Sequence, residues 1–391
     1  MAGDRFDDVT AMIRAMTPSY PVYCIHPDVL RATAERFVRT FPGRVLYAVK
    51  CNPHPKILHI LYDAGIRHFD TASLAEIAQV REQFRDAGAY FMHPVKARAA
   101  IRTAYEVYGI RHFVVDHATE MTKVLDETGG EGVTVIVRIA TPAAGAAYDL
   151  SKKFGIRPSE APDLLKEAKS WGCQTGLSFH VGSQCLVPRA YKTALDMVGD
   201  VLEAAKVDLH MLDVGGGFPA PYQGVQVPPL ESYMDEINEG LARLDLRRDC
   251  VVMCEPGRAM VADGMSLVTQ VLLRKEDQVY INDGIYGSLS EMVTARVQMP
   301  VRAIRLKGDL SGSSMDFSIA GPTCDSLDIL PFTFHLPEDL VEGDWIEIGM
   351  VGAYGNALRT NFNGFFPDTF VEIDKAAPGL VAPETAKAVA S

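Results

Sequence analysis

The sequence predicts an α/β protein: a (β/α)8 TIM-type barrel plus a C-terminal all-β domain completed by the N-terminal segment. Three observations carry this expectation. Eight short apolar runs separated by helical patterns fill the first two thirds of the chain. Each run ends on a polar, charged or glycine-rich stretch. After about Gly264 the texture changes to closely spaced strand-like runs divided by turn residues. Strands alternating with helices build parallel sheets, whereas short strands joined by turns build antiparallel ones.

Taken in order, the chain opens with Pro21-Val-Tyr-Cys-Ile25, a strand that precedes the barrel and is free to join the β domain. The barrel strands follow: Val45 to Val49 into Lys50, Ile66 to Phe69 into Asp70, Ala89 to Met92 into His93, and His112 to Val115 into Asp116. The second four are Val133 to Val137 into Arg138, Gly176 to Phe179 into His180, His210 to Val214 into Gly215-Gly216-Gly217, and Val251 to Cys254 into Glu255. Leu74 to Val80 and Tyr191 to Leu202 carry the periodicity of crossover helices. Beyond them, Ser266 to Leu273, Gln278 to Asn282, Phe317 to Ala320 and Asp344 to Ile348 read as strands of the second domain. The expected boundaries are 27–263 for the barrel, with 1–26 and 264–391 forming the β domain. Lys375 to Ser391, rich in Ala and Pro, is expected to be a loosely held tail.

Composition narrows the partners. The 391 residues are 48% hydrophobic and 23% charged, which suits a well-packed globular chain. A net charge of −12 argues against nucleic acid or an anionic membrane as partner and leaves small molecules as the expected ligands. Seven cysteines without a CxxC pair suggest neither a zinc site nor a disulfide framework, and fit a reducing cytoplasm. The Met-Ala-Gly-Asp start lacks a basic-then-apolar leader, and the expected location is cytoplasmic. His93, Asp116 and His180 come from separate strands without ligand spacing, so no metal is expected.

Active sites of such barrels lie at the C-terminal ends of the strands. Lys50 stands at the first of them, where burial should lower its pKa and free the amine to attack a carbonyl. Alone it reads as a strand-end lysine reaching for water. Gly215-Gly216-Gly217 lets backbone N–H groups approach an anion, and Glu255-Pro-Gly257-Arg258 adds a glycine, a guanidinium and a carboxylate. These loops follow strands seven and eight, where such barrels habitually bind phosphate. Lysine, phosphate loops and carboxylate together point to pyridoxal phosphate, with Glu255 beside the pyridine nitrogen, His180 stacked on the ring and Ser183 donating to the phosphate.

These motifs resemble a family. Tyr47-Ala-Val-Lys50-Cys-Asn52, Phe69-Asp70 through Glu76, His180-Val-Gly-Ser183, Asp213 through Pro219, Glu255-Pro-Gly-Arg258, Asn282 through Gly287, Gly321 through Asp325 and Gly352-Ala-Tyr354 look like the ornithine/lysine decarboxylase group. These are the fold-type III, alanine racemase-like, pyridoxal-phosphate-dependent decarboxylases. The resemblance spans roughly Tyr20 to Phe366. It implies decarboxylation of a basic L-amino acid, ornithine and/or lysine, to the diamine, as part of polyamine biosynthesis. It further implies that Lys50 bonds the cofactor aldehyde, with Asp70 and Glu76 near it. Arg138 and His180 would contact the cofactor, and Glu255 would pair with the pyridinium nitrogen. Ser183, Gly216, Gly217, Gly257, Arg258 and Tyr354 would hold the phosphate. In the family a head-to-tail homodimer shares its sites. Cys324 of one subunit would give a proton to the carbon left by carbon dioxide, and Asp325 would meet the distal amine of the substrate. Asp149 to Gly155 resembles the family's mobile loop, expected to order over bound substrate.

One departure bears on substrate. Beyond Tyr286, itself a candidate substrate contact, the family usually places an acidic residue near the end of a short helix. Here Thr294 or Ala295 falls there and Arg296 is next. That leaves Asp325 or Glu291 to grip an amine, or Arg296 to meet an anionic or carbonyl-bearing tail. The alternatives are therefore a same-fold decarboxylase for a larger or non-diamine amino acid and, more remotely, a non-catalytic decarboxylase-like regulator. A racemase would be expected to place an arginine, not Glu255, at the pyridine nitrogen.

Overall fold

The computed structural model describes residues 5–142, 146 and 152–380. Two strands precede the barrel, β1 (Arg5–Phe6) and β2 (Val22–Ile25). Eight parallel strands then close on themselves: β3 (Arg44–Ala48), β4 (His68–Thr71), β5 (Gly88–Phe91), β6 (His112–Val115), β7 (Thr134–Arg138), β8 (Gln174–Ser178), β9 (Met211–Asp213) and β10 (Val251–Cys254). Every expected barrel strand is present, within two residues of its expected ends. One small shift bears on function: Val49 leaves the strand for a single 3-10 turn, Val49–Cys51, that holds Lys50 at the rim.

The strands form because both faces are buried, so their sequences read as nearly continuous apolar runs. Leu46, Tyr90, Val114, Ile136, Met211 and Met253 form one cluster that fills the barrel. Their chain neighbours Val45, Tyr47, Phe91, Phe113, Val115, Val135 and Val137 belong to the larger core shared with the surrounding helices. Each such apolar side chain contributes about 1.5–3 kcal/mol on burial. The crossover helices Leu74–Gln83 and Arg189–Ala205 extend their expected spans. Ser73 caps the former by accepting from the Glu76 backbone.

The second sheet contains β11 (Met265–Lys275), β12 (Gln278–Ile281), β13 (Val301–Ile304), β14 (Ser314–Ala320), β15 (Ile329–Pro337), β16 (Trp345–Ile348) and β17 (Thr369–Ile373), together with β1 and β2. β2 lies between β17, parallel, and β11, antiparallel, so the N-terminal segment completes the domain from its interior. The first residues of the expected loose tail, 375–380, are held to the domain. The Lys375 amide bonds to Asp7, and Ala377 and Leu380 are buried, Leu380 against Gly349. Residues 381–391 lie outside the described residues, as do 149–151 of the expected loop. Among the described residues no helix is long and apolar enough to cross a membrane, and no cluster of His, Cys, Asp or Glu could hold a metal ion.

Candidate active site

The C-terminal rim of the barrel gathers three buried carboxyl groups and the lysine. Lys50 Nζ donates to Asp70 Oδ2 at 3.1 Å. The Asp70 side chain is 2% exposed, whereas that of Lys50 is 46% exposed and so open to an incoming ligand. Burial pulls the ammonium pKa down, but Asp70, Glu255 and Tyr354 together outweigh it and the value rises above its ordinary 10.5. The sequence expectation of a lowered value is corrected by these partners, Asp70 first: a desolvated cation hydrogen-bonded to a carboxylate is held charged. Glu76 turns back to accept from the Ala72 amide at 2.7 Å, and burial with nearby Asp70 raises its pKa.

Glu255 directly follows β10 and is buried. Desolvation, then Asp213 and Asp70, push its carboxyl well above the ordinary range, against the opposing pull of Lys50 and Arg138. Asp213 ends β9 and rises to about 7, chiefly by burial, although the Gly215 amide donates to it at 2.9 Å. Two such neighbours behave as a pair that retains a proton near neutrality. Asp213 was not singled out as a site residue from sequence; the signal was an Asp closing an apolar run immediately before three glycines.

His180 accepts from the Gly182 amide at Nδ1, 3.0 Å, which places the ring hydrogen on Nε2 facing the Gly216 turn. Burial first, then Arg138 and Lys50, depress its pKa and keep it neutral. Arg138 ends β7 with its guanidinium 5.6 Å from the Phe154 ring centre. Phe154 also meets His93 edge-on at 5.3 Å, and Gly155 donates to Asp116 at 2.9 Å. The described end of the expected loop is therefore clamped to the rim.

The phosphate candidates converge from three elements. Arg258, which is buried, begins the turn after β10. It donates to Ser183 Oγ at 3.4 Å and Tyr222 Oη at 3.0 Å, and lies 5.0 Å from the Tyr354 ring centre. Gly215 and Gly217 adopt positive φ, and a side chain at Gly216 would strike the Glu255 carbonyl 2.4 Å away. A side chain at Gly257 would press on Cys51 and Ala48. Tyr354 comes from the β domain: its amide donates to Cys51 at 2.9 Å, and Asn52 donates to Gly352 at 2.8 Å. One rim turn thus presents Lys50 and anchors the tyrosine loop.

The substrate candidates lie elsewhere. Tyr286 donates to Asp325 at 2.5 Å, and the Cys324 amide donates to Asn363 at 3.0 Å, all within the β domain. Cys324 is the exposed one of the seven cysteines; the others are buried or partly so. Ala295 is buried behind the short helix Ser290–Thr294, and Arg296 is exposed in a left-handed conformation. Glu291, held in reserve as a substrate carboxylate, is buried instead against Arg258, 2.5 Å from Nη1.

An amine nucleophile on the first strand, a proton-holding carboxyl on the last and a guanidinium beside a glycine turn supply the three things pyridoxal phosphate requires: a partner for its aldehyde, its ring nitrogen and its phosphate. The rim is that of a pyridoxal-phosphate-dependent enzyme built on a TIM-type barrel. Residues 28–262 match the pyridoxal-binding domain of the pyridoxal-dependent decarboxylases, and the chain belongs to that family as a decarboxylase. It is 37% identical to a lysine/ornithine decarboxylase of Selenomonas ruminantium over 332 residues, covering 82% of this chain and 81% of the relative. Its structure is similar to that of the Vibrio vulnificus lysine/ornithine decarboxylase complexed with putrescine, with a TM-score of 0.81, 31% identity and coverage of 93% and 96%. It is also similar to an arginine decarboxylase of Paramecium bursaria Chlorella virus bound to agmatine, with a TM-score of 0.83, 26% identity and coverage of 93% and 98%.

Proposed function

We propose that this chain decarboxylates a basic L-amino acid, ornithine and/or lysine, to the corresponding diamine, and so serves polyamine formation. The observation that carries the reading is the Tyr286–Asp325 pair. It offers an oriented carboxylate next to the exposed thiol of Cys324, an arrangement suited to a substrate with an ammonium at its far end. The tyrosine hydrogen bond holds the Asp325 pKa below its ordinary value, so the carboxylate is anionic wherever the substrate amine is cationic.

Pyridoxal phosphate, when bound, supplies a carbonyl for the substrate amine and a ring that accepts electrons as the carboxylate leaves. Lys50 would bond the aldehyde, and Asp70 would orient Nζ. Glu255 would hold a proton at the ring nitrogen. His180, neutral and turned by Gly182, would pack on the ring, and Arg138 would also contact the cofactor. Ser183, Gly216, Gly217, Gly257, Arg258 and Tyr354 would hold the phosphate. Cys324 would return a proton to the reacting carbon.

Cys324 and Asp325 bond within their own domain rather than to the rim, and the surface around them is apolar. Leu327 is 71% exposed, and Ile329, Leu358, Phe362, Phe365 and Phe366 are exposed near it, with Phe362 against Tyr286. Such a patch marks a protein–protein surface. A homodimer in which each subunit lends Cys324 and Asp325 to its partner would both cover it and complete the two sites. A second reading, a larger or differently tailed amino acid, is favoured by the buried Ala295 and the engaged Glu291, which leave Asp325 without a second carboxylate. Carbon dioxide release by the cofactor-loaded protein across L-amino acids with amine, guanidine, carboxylate and amide tails separates the two. Preference for ornithine or lysine supports the first reading, and preference for another tail replaces it with the second.

A further inference from the structure

Glu291 is buried at 3% exposure in the helix Ser290–Thr294, and its Oε2 lies 2.5 Å from Arg258 Nη1. The same oxygen has no hydrogen-bond partner, so the contact is a charge pairing without a well-directed bond. Its other oxygen accepts from Thr294 Oγ1 at 3.2 Å. Arg258 does not depend on it for placement, because Tyr222, Ser183 and the Tyr354 ring fix the guanidinium from other sides. A carboxylate here therefore does one thing the other contacts do not: it neutralises the charge that would attract an anion.

We propose that Glu291 is a built-in competitor for the phosphate group at Arg258, setting how tightly this chain holds its cofactor by occupying the guanidinium when the phosphate is absent and repelling it when present. The proposal rests on the reading that Arg258 binds the cofactor phosphate. It makes Glu291 a positioning residue of the cofactor site rather than a receiver for the substrate tail, although it sits one helical turn before Ala295 and on the same face. A like charge a few ångströms from a phosphate in a buried site weakens its binding, and its removal strengthens it by about ten-fold.

The test compares pyridoxal phosphate with pyridoxal, which lacks the phosphate, as ligands of the full chain stripped of cofactor, followed by absorbance. The ratio of their dissociation constants reports the phosphate contribution alone. In Glu291→Gln the ratio should grow about ten-fold, with pyridoxal affinity unchanged. In Glu291→Asp, which keeps the charge but retracts it and so protects folding, the ratio should grow by a smaller factor. A ratio unchanged or reduced in whichever variant folds overturns the proposal. Arg258→Gln separates the underlying reading: if it leaves the ratio at the wild-type value, Arg258 does not hold the phosphate. If it lowers the ratio while the Glu291 variants do not raise it, that reading stands and the competitor role falls.

Discussion

Tyr286 and Asp325, separated by 39 residues, meet through a 2.5 Å hydrogen bond from the phenol to the carboxylate. The bond aims Asp325 and depresses its pKa. Tyr286→Phe should raise KM for the preferred substrate by about ten-fold or more, the worth of one hydrogen bond to a charged group. Because Asp325 would then protonate at a higher pH, the acid limb of kcat/KM should move upward. An unmoved limb would separate Asp325 from substrate recognition.

Lys50→Ala should abolish the absorbance of the imine between the lysine and the cofactor, and retention of full turnover would refute its role. Mixing equal amounts of Lys50→Ala and Cys324→Ala subunits tests site sharing. Half of the dimers formed are mixed, and each carries one intact site, so about one quarter of wild-type activity should return. No recovery after subunit exchange would mean that each chain builds its own site.

Glu255→Gln keeps the shape but cannot hold the ionic pairing with a protonated ring nitrogen. A drop in kcat of roughly 100-fold or more is expected, as when a preorganised electrostatic partner is removed. Steady-state rates at saturating cofactor provide the check, and a change of less than a few-fold would place Glu255 outside the reaction.

The floor of the barrel predicts acid sensitivity. His68 and His112 flank Tyr90, and burial, with Arg44 in second place, lowers each from 6.5 to about 4. The unfolded chain binds these protons first, so the contribution is complete above pH 6.5 and is lost as the pH falls towards 4. Replacing both histidines by glutamine should flatten the fall in melting temperature across that interval. An unchanged slope would show that other groups govern it.

Gly217 has φ +109°, and an added Cβ would lie 2.4 Å from the Gly182 carbonyl. Gly217→Ala should cost about 1–3 kcal/mol of stability and weaken cofactor binding. Denaturant titration and cofactor affinity measure the two effects, and wild-type values for both would contradict the strained turn.

The barrel was legible because its strands are buried on both faces, giving apolar runs that end on chemistry-bearing residues. Strands of the second sheet were legible only where the apolar run was unbroken. β13 carries Arg302 within four residues, and β15 alternates exposed Ile329 and Pro331 with buried neighbours through a Thr and a His, so neither reads as a run. The individual site residues were visible, but their couplings were not. The direction of the Lys50 shift depends on three groups brought together from β4, β10 and the loop before Gly355, and the pairing of Glu291 with Arg258 crosses between domains. Such sums are set by folding, not by local sequence.

The interior position of β2 also orders the events of synthesis. Its Val-Tyr-Cys-Ile strand is made early, yet its neighbours begin only at Met265 and Thr369. At roughly 5–20 residues per second, the strand waits on the order of ten seconds or longer beside the ribosome with both edges unsatisfied. A nascent chain in that interval carries a sticky, unpaired ribbon attached to a barrel still being assembled, and slowed translation would lengthen its exposure to other unfinished chains.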